Sequence, residues 1–143
     1  AAHGIVPFYG QGLNCGFEDC SFLNSCFEKH GGDWAKTFQE YEEGRRKNTD
    51  AIAELSFDNF VELRETAANP IFHLKRQLER ALEATYPDFM SKYSMVTFSN
   101  IPYEEALRKG RRQDAILMQA CADIKNINQL NLDEIKRRIS TID

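Results

Sequence analysis

No apolar run in this sequence approaches the ~18 residues that a membrane-spanning helix requires. The first residues carry neither a basic segment nor a long apolar stretch, so they do not form a signal peptide. Cys15, Cys20, Cys26 and Cys121 include no Cys-x-x-Cys pair, which excludes the common zinc and dithiol motifs. They read instead as buried thiols of a reducing compartment. His3, His30 and His73 stand at no ligand spacing from one another or from carboxylates, so no metal site is expected. Positive charge is in deficit: 18 Lys and Arg against 22 Asp and Glu give a net charge of −4. A chain without a basic face is a poor partner for nucleic acid or an anionic membrane. The two basic clusters, Gly44–Lys47 and Arg108–Arg112, lie within Glu-rich helical patterns and read as solvated faces. There are no internal repeats, low-complexity tracts or polar linkers.

A nucleophile–base pair is also missing. Glu18 and Asp19 are adjacent, which on a helix separates them by roughly 100° and prevents a shared acid–base site. Any redox or group-transfer chemistry would have to come from a cofactor.

What the sequence has is helical periodicity over most of its 143 residues, enough for one domain. The pattern predicts a first helix over about Gly12–Glu28. It is apolar on two sides, through Leu13, Phe17, Cys20 and Phe27 and through Cys15, Phe22, Leu23 and Cys26, as expected of a buried helix. His30–Asp33 stops it and offers Asp33 as the next N-cap. Further helices are predicted over Trp34–Arg46, Thr49–Thr66, Pro70–Tyr86, from Pro102 onward, and from Asp133 to the end. The break after the third rests on Ala68–Pro70, since the residue before proline avoids the α region. Tyr86–Pro102, rich in aromatic and β-branched residues, reads as extended or irregular, and Asn126–Leu132 as a loop. The fold class is mainly α.

Three features interrupt this plain picture. The opening "VPFYGQGLNCGFED" places Gly10 and Gly12 at a helix start. Glycines there permit φ > 0 and close approach of a ligand, and the helix N-terminus presents free N–H groups. The same residues also suit an ordinary tight turn. Asn59 lies at the centre of an apolar stripe formed by Ile52, Leu55, Ser56, Phe60 and Leu63. It is either a satisfied core amide or a polar contact projecting into an apolar pocket. Tyr93, in "KYSMVTF", is either a packed tyrosine or a pocket wall with a polar tip.

The stretch "AAHGIVPFYGQGLNCGFEDC" resembles the flavin-contacting motif of FAD-dependent aromatic hydroxylases. "ELSFDNFVELRE" and "YSMVTFSNIPYEEAL" are similar to the kynurenine-hydroxylating branch, the kynurenine 3-monooxygenase family. The resemblance implies that the chain is the C-terminal part of an FAD-binding α/β monooxygenase. Residues 1–46 would close the FAD-binding domain, and residues 47–143 would form a helical substrate cap. By resemblance, Gly10, Gly12, Leu13 and Asn14 meet FAD, and Phe8, Asn59 and Tyr93 meet the substrate. The flavin performs the chemistry, so no catalytic side chain is expected. The family uses NADPH and O2 to hydroxylate L-kynurenine to 3-hydroxykynurenine, in tryptophan degradation and NAD biosynthesis. Its ADP-binding segment and substrate-pairing arginine are absent from this stretch. The chain is therefore expected to be a piece of a longer enzyme, inactive without the N-terminal FAD-binding segment. The polar ending "LNLDEIKRRISTID" is like that of members without a membrane anchor, and a cytoplasmic location is expected. A hydroxylase of another aromatic acid would keep the loop but need neither Asn59 nor Tyr93. A non-catalytic helical interaction domain would need no cofactor.

Overall fold

The computed structural model describes residues 4–66 and 69–141, and among them every regular element is helical. Six α-helices follow one another: α1 (Gly12–Lys29), α2 (Trp34–Thr66), α3 (Pro70–Thr85), α4 (Lys92–Phe98), α5 (Tyr103–Cys121) and α6 (Leu132–Ser140). A 3₁₀ turn, Ile127–Gln129, precedes the last. The starts are chemically marked. The Asp33 carboxylate accepts from the N–H groups of Ala35 (3.1 Å) and Lys36 (3.3 Å) at α2. Asn69 accepts from Ile71 N–H with Pro70 in the first turn of α3, and Ser91 and Asn131 cap α4 and α6. Glu104 and Glu105 occupy the first turn of α5, where a helix dipole favours negative charge. Ala68, part of the expected break after α2, lies outside the described residues.

Two helix boundaries differ from the sequence reading. Residues Trp34–Thr66 form one unbroken helix, where two were expected. The residues around the expected break between Arg46 and Thr49 are engaged elsewhere. Arg45 is buried and pairs with Glu18 (3.0 Å) and Asp19 (2.8 Å) of α1, so it is not part of a solvated face. The Asn48 side chain accepts from Glu104 N–H (3.2 Å) and so caps α5, not its own helix. The Thr49 hydroxyl bonds back to the Arg46 carbonyl within α2. The second difference is α4, a helix where extended chain was expected. Its buried residues, Lys92, Met95 and Val96, keep helical spacing. A lysine at the first core position concealed that period.

The apolar interior forms two clusters. The first joins Tyr9 and Cys15 to Ala51, Ile52 and Leu55 of α2, Met95 and Val96 of α4, and Tyr103 and Ala106 of α5. The second joins Leu78 and Leu82 of α3 to Phe89, Leu117 and Cys121 of α5, and Ile135 and Ile139 of α6. Helix α5 serves both. Helix α1 is less buried than its sequence suggests: Leu13 is 68% and Phe17 64% exposed, and Cys20 is exposed while the other three cysteines are buried. Its apolar surface therefore faces outward from this helical assembly, and only Cys15 and Cys26 are buried within it.

Contact between α4 and α5 is close because Gly110 has no side chain. A Cβ there would lie 2.5 Å from Cγ and 2.9 Å from Cβ of Lys92. Helix propensity alone favours alanine over glycine by about 1 kcal/mol. Here overlap with a buried stem should win, and Gly110→Ala should lose about 1–3 kcal/mol. Urea unfolding checks this; stability equal to or above the parent would contradict it.

Candidate functional site

The loop before α1 is shaped by its own backbone. Phe8 N–H donates to the Val6 carbonyl (2.9 Å), and Gly10 takes φ 71°, the left-handed region that only glycine enters freely. Nothing lies within 4 Å of a Cβ built at Gly10 or Gly12, so that backbone is open to close approach. Gln11 stands at the N-cap position of α1 but makes no capping bond. Its side-chain oxygen instead accepts from Asn14 Nδ2 (2.8 Å) and from the Tyr103 hydroxyl (3.3 Å), tying the loop to α5. No acidic residue occupies the first turn. The N–H groups at this helix end thus carry their partial positive charge without a side-chain acceptor.

Beside the loop is a cleft of about 520 Å³. Phe8, Tyr9, Asn59, Leu63, Tyr93 and Phe98 line it on one side, with Glu62, Glu79 and Lys92 among its polar residues. The three substrate-side residues picked out in the sequence come from separate segments and meet here. Asn59 is 4% exposed, and its Nδ2 donates to the Phe8 carbonyl (2.9 Å). Both sequence readings of Asn59 are therefore compatible: it is a satisfied amide and it lines a pocket. No donor among the described residues reaches its side-chain oxygen. Tyr93 lies on α4, not in extended chain, and is 46% exposed. Its ring stacks on Tyr9 (centroids 5.6 Å apart) and meets Phe98 edge-on (6.1 Å), while Phe8 packs on Phe60 (4.6 Å). Gly10, Gly12, Leu13 and Asn14 lie on the loop and first turn of α1, outside the lining of this cleft; Asn14 lines a separate cavity with Gln11 and Phe17.

No protein-family model matches the chain. Curated proteins do. A kynurenine 3-monooxygenase of Legionella pneumophila (strain Corby) is 41% identical over all of this chain and 32% of its own length. One from Flavobacterium johnsoniae is 45% identical over 97% of the chain and 31% of its length, and one from Caenorhabditis elegans 41% over 82% and 26%. The chain is related to the kynurenine 3-monooxygenases over about a third of their length. No described helix is long and apolar enough to cross a membrane.

The sequence reading missed the buried charges at and behind this cleft. Lys75, 1% exposed, places Nζ 2.6 Å from Asp114, 3.2 Å from Glu62 and 3.4 Å from Glu79. Lys92, also buried, is bonded to both Glu62 and Asp114. The five charges come from α2, α3, α4 and α5. Burial alone would raise the Asp114 carboxyl, but the Lys92 and Lys75 ammoniums outweigh it and hold it below the usual value. Glu79 goes the other way: burial raises it, Lys75 opposes, and Asp114 and Glu62 add to the rise. The Tyr9 hydroxyl is pushed up by burial and then by Glu62 and Asp114. A lysine at every fourth or third position of an amphipathic helix looks like surface. The available signal was that Lys75 and Lys92 each fall in register with apolar residues, Lys75 with Leu78 and Leu82, Lys92 with Met95 and Val96.

The sign of the pH dependence follows. With its folded pKa above the unfolded value of 4.5, Glu79 binds its proton more tightly in the native state. Its contribution is full below 4.5 and is lost as pH rises from there through the folded pKa. Glu79→Gln cannot ionise, so relative to the parent it should be more stable at about pH 8 than at about pH 4.5. Asp114, lowered from 3.8, contributes stability that is lost only as pH falls below that value, so the two windows separate. Urea unfolding of both proteins at the two pH values measures it; a stability difference independent of pH would refute the raised Glu79.

Proposed function

We propose that the chain supplies the flavin-edge loop and one wall of the substrate pocket of an enzyme that hydroxylates L-kynurenine to 3-hydroxykynurenine. The observation that carries this reading is the cleft in which Phe8, Asn59 and Tyr93 meet beside the open N-terminus of α1. Relatives matched along the chain bear the name of that reaction. The chain spans only about a third of their length, so the activity belongs to a protein that includes the rest. On this reading residues 1–46 close the FAD-binding part and residues 47–143 form the cap, with α2 running unbroken through the junction.

The residues present fit FAD. The open Cβ positions at Gly10 and Gly12 and the uncapped N–H groups of α1 make a cradle for an electron-rich ring edge, which Leu13 and Asn14 would flank. FAD, when bound, supplies the oxygen-transfer chemistry, with NADPH as reductant and O2 as co-substrate. The side chains here bind and orient. Phe8 and Leu63 offer apolar contact to an aromatic ring, and the Asn59 oxygen and Tyr93 hydroxyl offer polar contacts to an amino-acid end. Helix α1 directs its dipole to where negative charge would gather. We also place the enzyme in the cytoplasm, a proposal supported by the absence of a candidate span in the described helices.

Tyr93→Phe tests the reading cleanly. The hydroxyl has no hydrogen-bond partner among the described residues and the ring is half-exposed, so its loss breaks no internal bond. In the complete enzyme the kynurenine KM should rise a few-fold to roughly tenfold, from loss of about 0.5–1.5 kcal/mol. FAD content should be unchanged. Asn59→Leu should raise KM too, but also lower stability by about 1–3 kcal/mol, because the Phe8 carbonyl loses its donor. An unaltered kynurenine KM in both variants, with normal FAD content, would remove these residues from the site.

A further inference from the structure

Asn59 and Tyr93 lie within one turn of members of the buried ion cluster, and Phe8 adjoins Tyr9, whose hydroxyl feels the charges of Glu62 and Asp114. Phe8 precedes Tyr9, whose ring lies under Tyr93. Asn59 stands one turn before Glu62 on α2, and Tyr93 directly follows Lys92 on α4. We propose that Asp114 of α5, which lines no part of the cleft, is a positioning residue that sets the placement of Tyr93 through its bonds to Lys92 and Lys75.

The argument starts from the shortness of α4. Seven residues make too few internal hydrogen bonds to hold a helix by themselves, so its place depends on packing. Its buried face is Met95, Val96 and the stem of Lys92, which crosses Gly110 so closely that no side chain fits there. The Lys92 head is bonded to Glu62 of α2 and Asp114 of α5. Two buried ammoniums share Asp114, one at each oxygen. Without its charge both would compete for Glu62 and Glu79, and a buried cation follows its nearest anion. Lys92 would draw toward α2 and carry Tyr93 with it, away from its stack on Tyr9. Glu62 and Lys92 themselves line the cleft, so changes there would mix positioning with direct contact. Asp114 separates the two.

The inference rests on the substrate-side reading of the cleft, and its test has one readout that does not. The protein is the complete enzyme with 3-fluorotyrosine at position 93, as parent and as Asp114→Asn. In Asp114→Asn the fluorine resonance should move, with no substrate present, because the ring leaves its stack. The kynurenine KM should rise a few-fold to roughly tenfold, no further than in Tyr93→Phe, while kcat changes by no more than about threefold, as expected when a binding group is displaced. FAD content should stay normal. Combined with Tyr93→Phe, the KM effects should fall short of multiplying, since both act through one hydroxyl. Asp114→Glu, which keeps the charge, should restore most of the KM. A fluorine resonance that does not move overturns the proposal whatever the substrate is. So does a KM that Tyr93→Phe raises and Asp114→Asn leaves unchanged, or effects that multiply, in a folded variant whose only defect is a lower melting point. If Tyr93→Phe alone leaves KM unchanged while the resonance moves in Asp114→Asn, the positioning stands and the substrate reading fails. Should Asp114→Asn not fold, resonance and KM are read on Asp114→Glu, where a small shift of each supports the proposal and none overturns it.

Discussion

Two lysines cannot be taken out of water without anions, and that constraint organises the domain. Burying each ammonium costs several kcal/mol unless carboxylates stand against it. Glu62, Glu79 and Asp114 do so from three helices, and Lys75 and Lys92 reach them from α3 and α4. Pairs of this kind add little net stability compared with apolar packing of the same volume, but losing one partner is expensive. What they fix here is register. A slip of α3 by one turn would bring Lys75 to the level of Leu78, against Leu117 and the rest of the second apolar cluster. Along α5, Asp114 lies between Ala106 of the first cluster and Leu117 of the second, so the charges mark where one core ends and the other begins.

Much of this was legible in the sequence. Helix starts carried by Asp33, Asn69–Pro70 and Pro102–Glu105 were readable because capping chemistry is local. The opening loop was readable because glycine conformation is local as well. Asn59 stood out because one carboxamide in an apolar stripe breaks a pattern. The misreadings share a cause: a polar side chain whose partner is distant in sequence. Asn48 fell in the expected break between two helices and caps a helix start 56 positions away. Arg45 looked solvated and is held by α1. Lys92 broke the apolar period of α4 and made it look irregular. Tyr9 was not singled out, although it is the ring on which Tyr93 rests.

The unbroken α2 gives these details a mechanical setting. At its start, Trp34 stacks with Phe27 and Phe38 beside the α1–α2 turn. At its middle it holds α1 through Arg45 and α5 through Asn48. Near its end it presents Asn59 to the loop and Glu62 to the ion cluster. Loop, neighbouring helices and cleft are thus referred to one unbroken helix, and the loop carbonyl at Phe8 is bonded directly to it.

The missing side-chain cap of α1 carries a cost of its own. An N-cap serine or aspartate is worth about 1 kcal/mol to a helix, and Gln11 forgoes it by turning its amide toward Asn14 and Tyr103. An engineer seeking a sturdier protein would place such a residue at position 11 first. The substitution would occupy the backbone donors from within and close the helix end to anything outside. On the reading proposed above this end recognises a ligand, so thermostability and recognition would compete for the same few N–H groups.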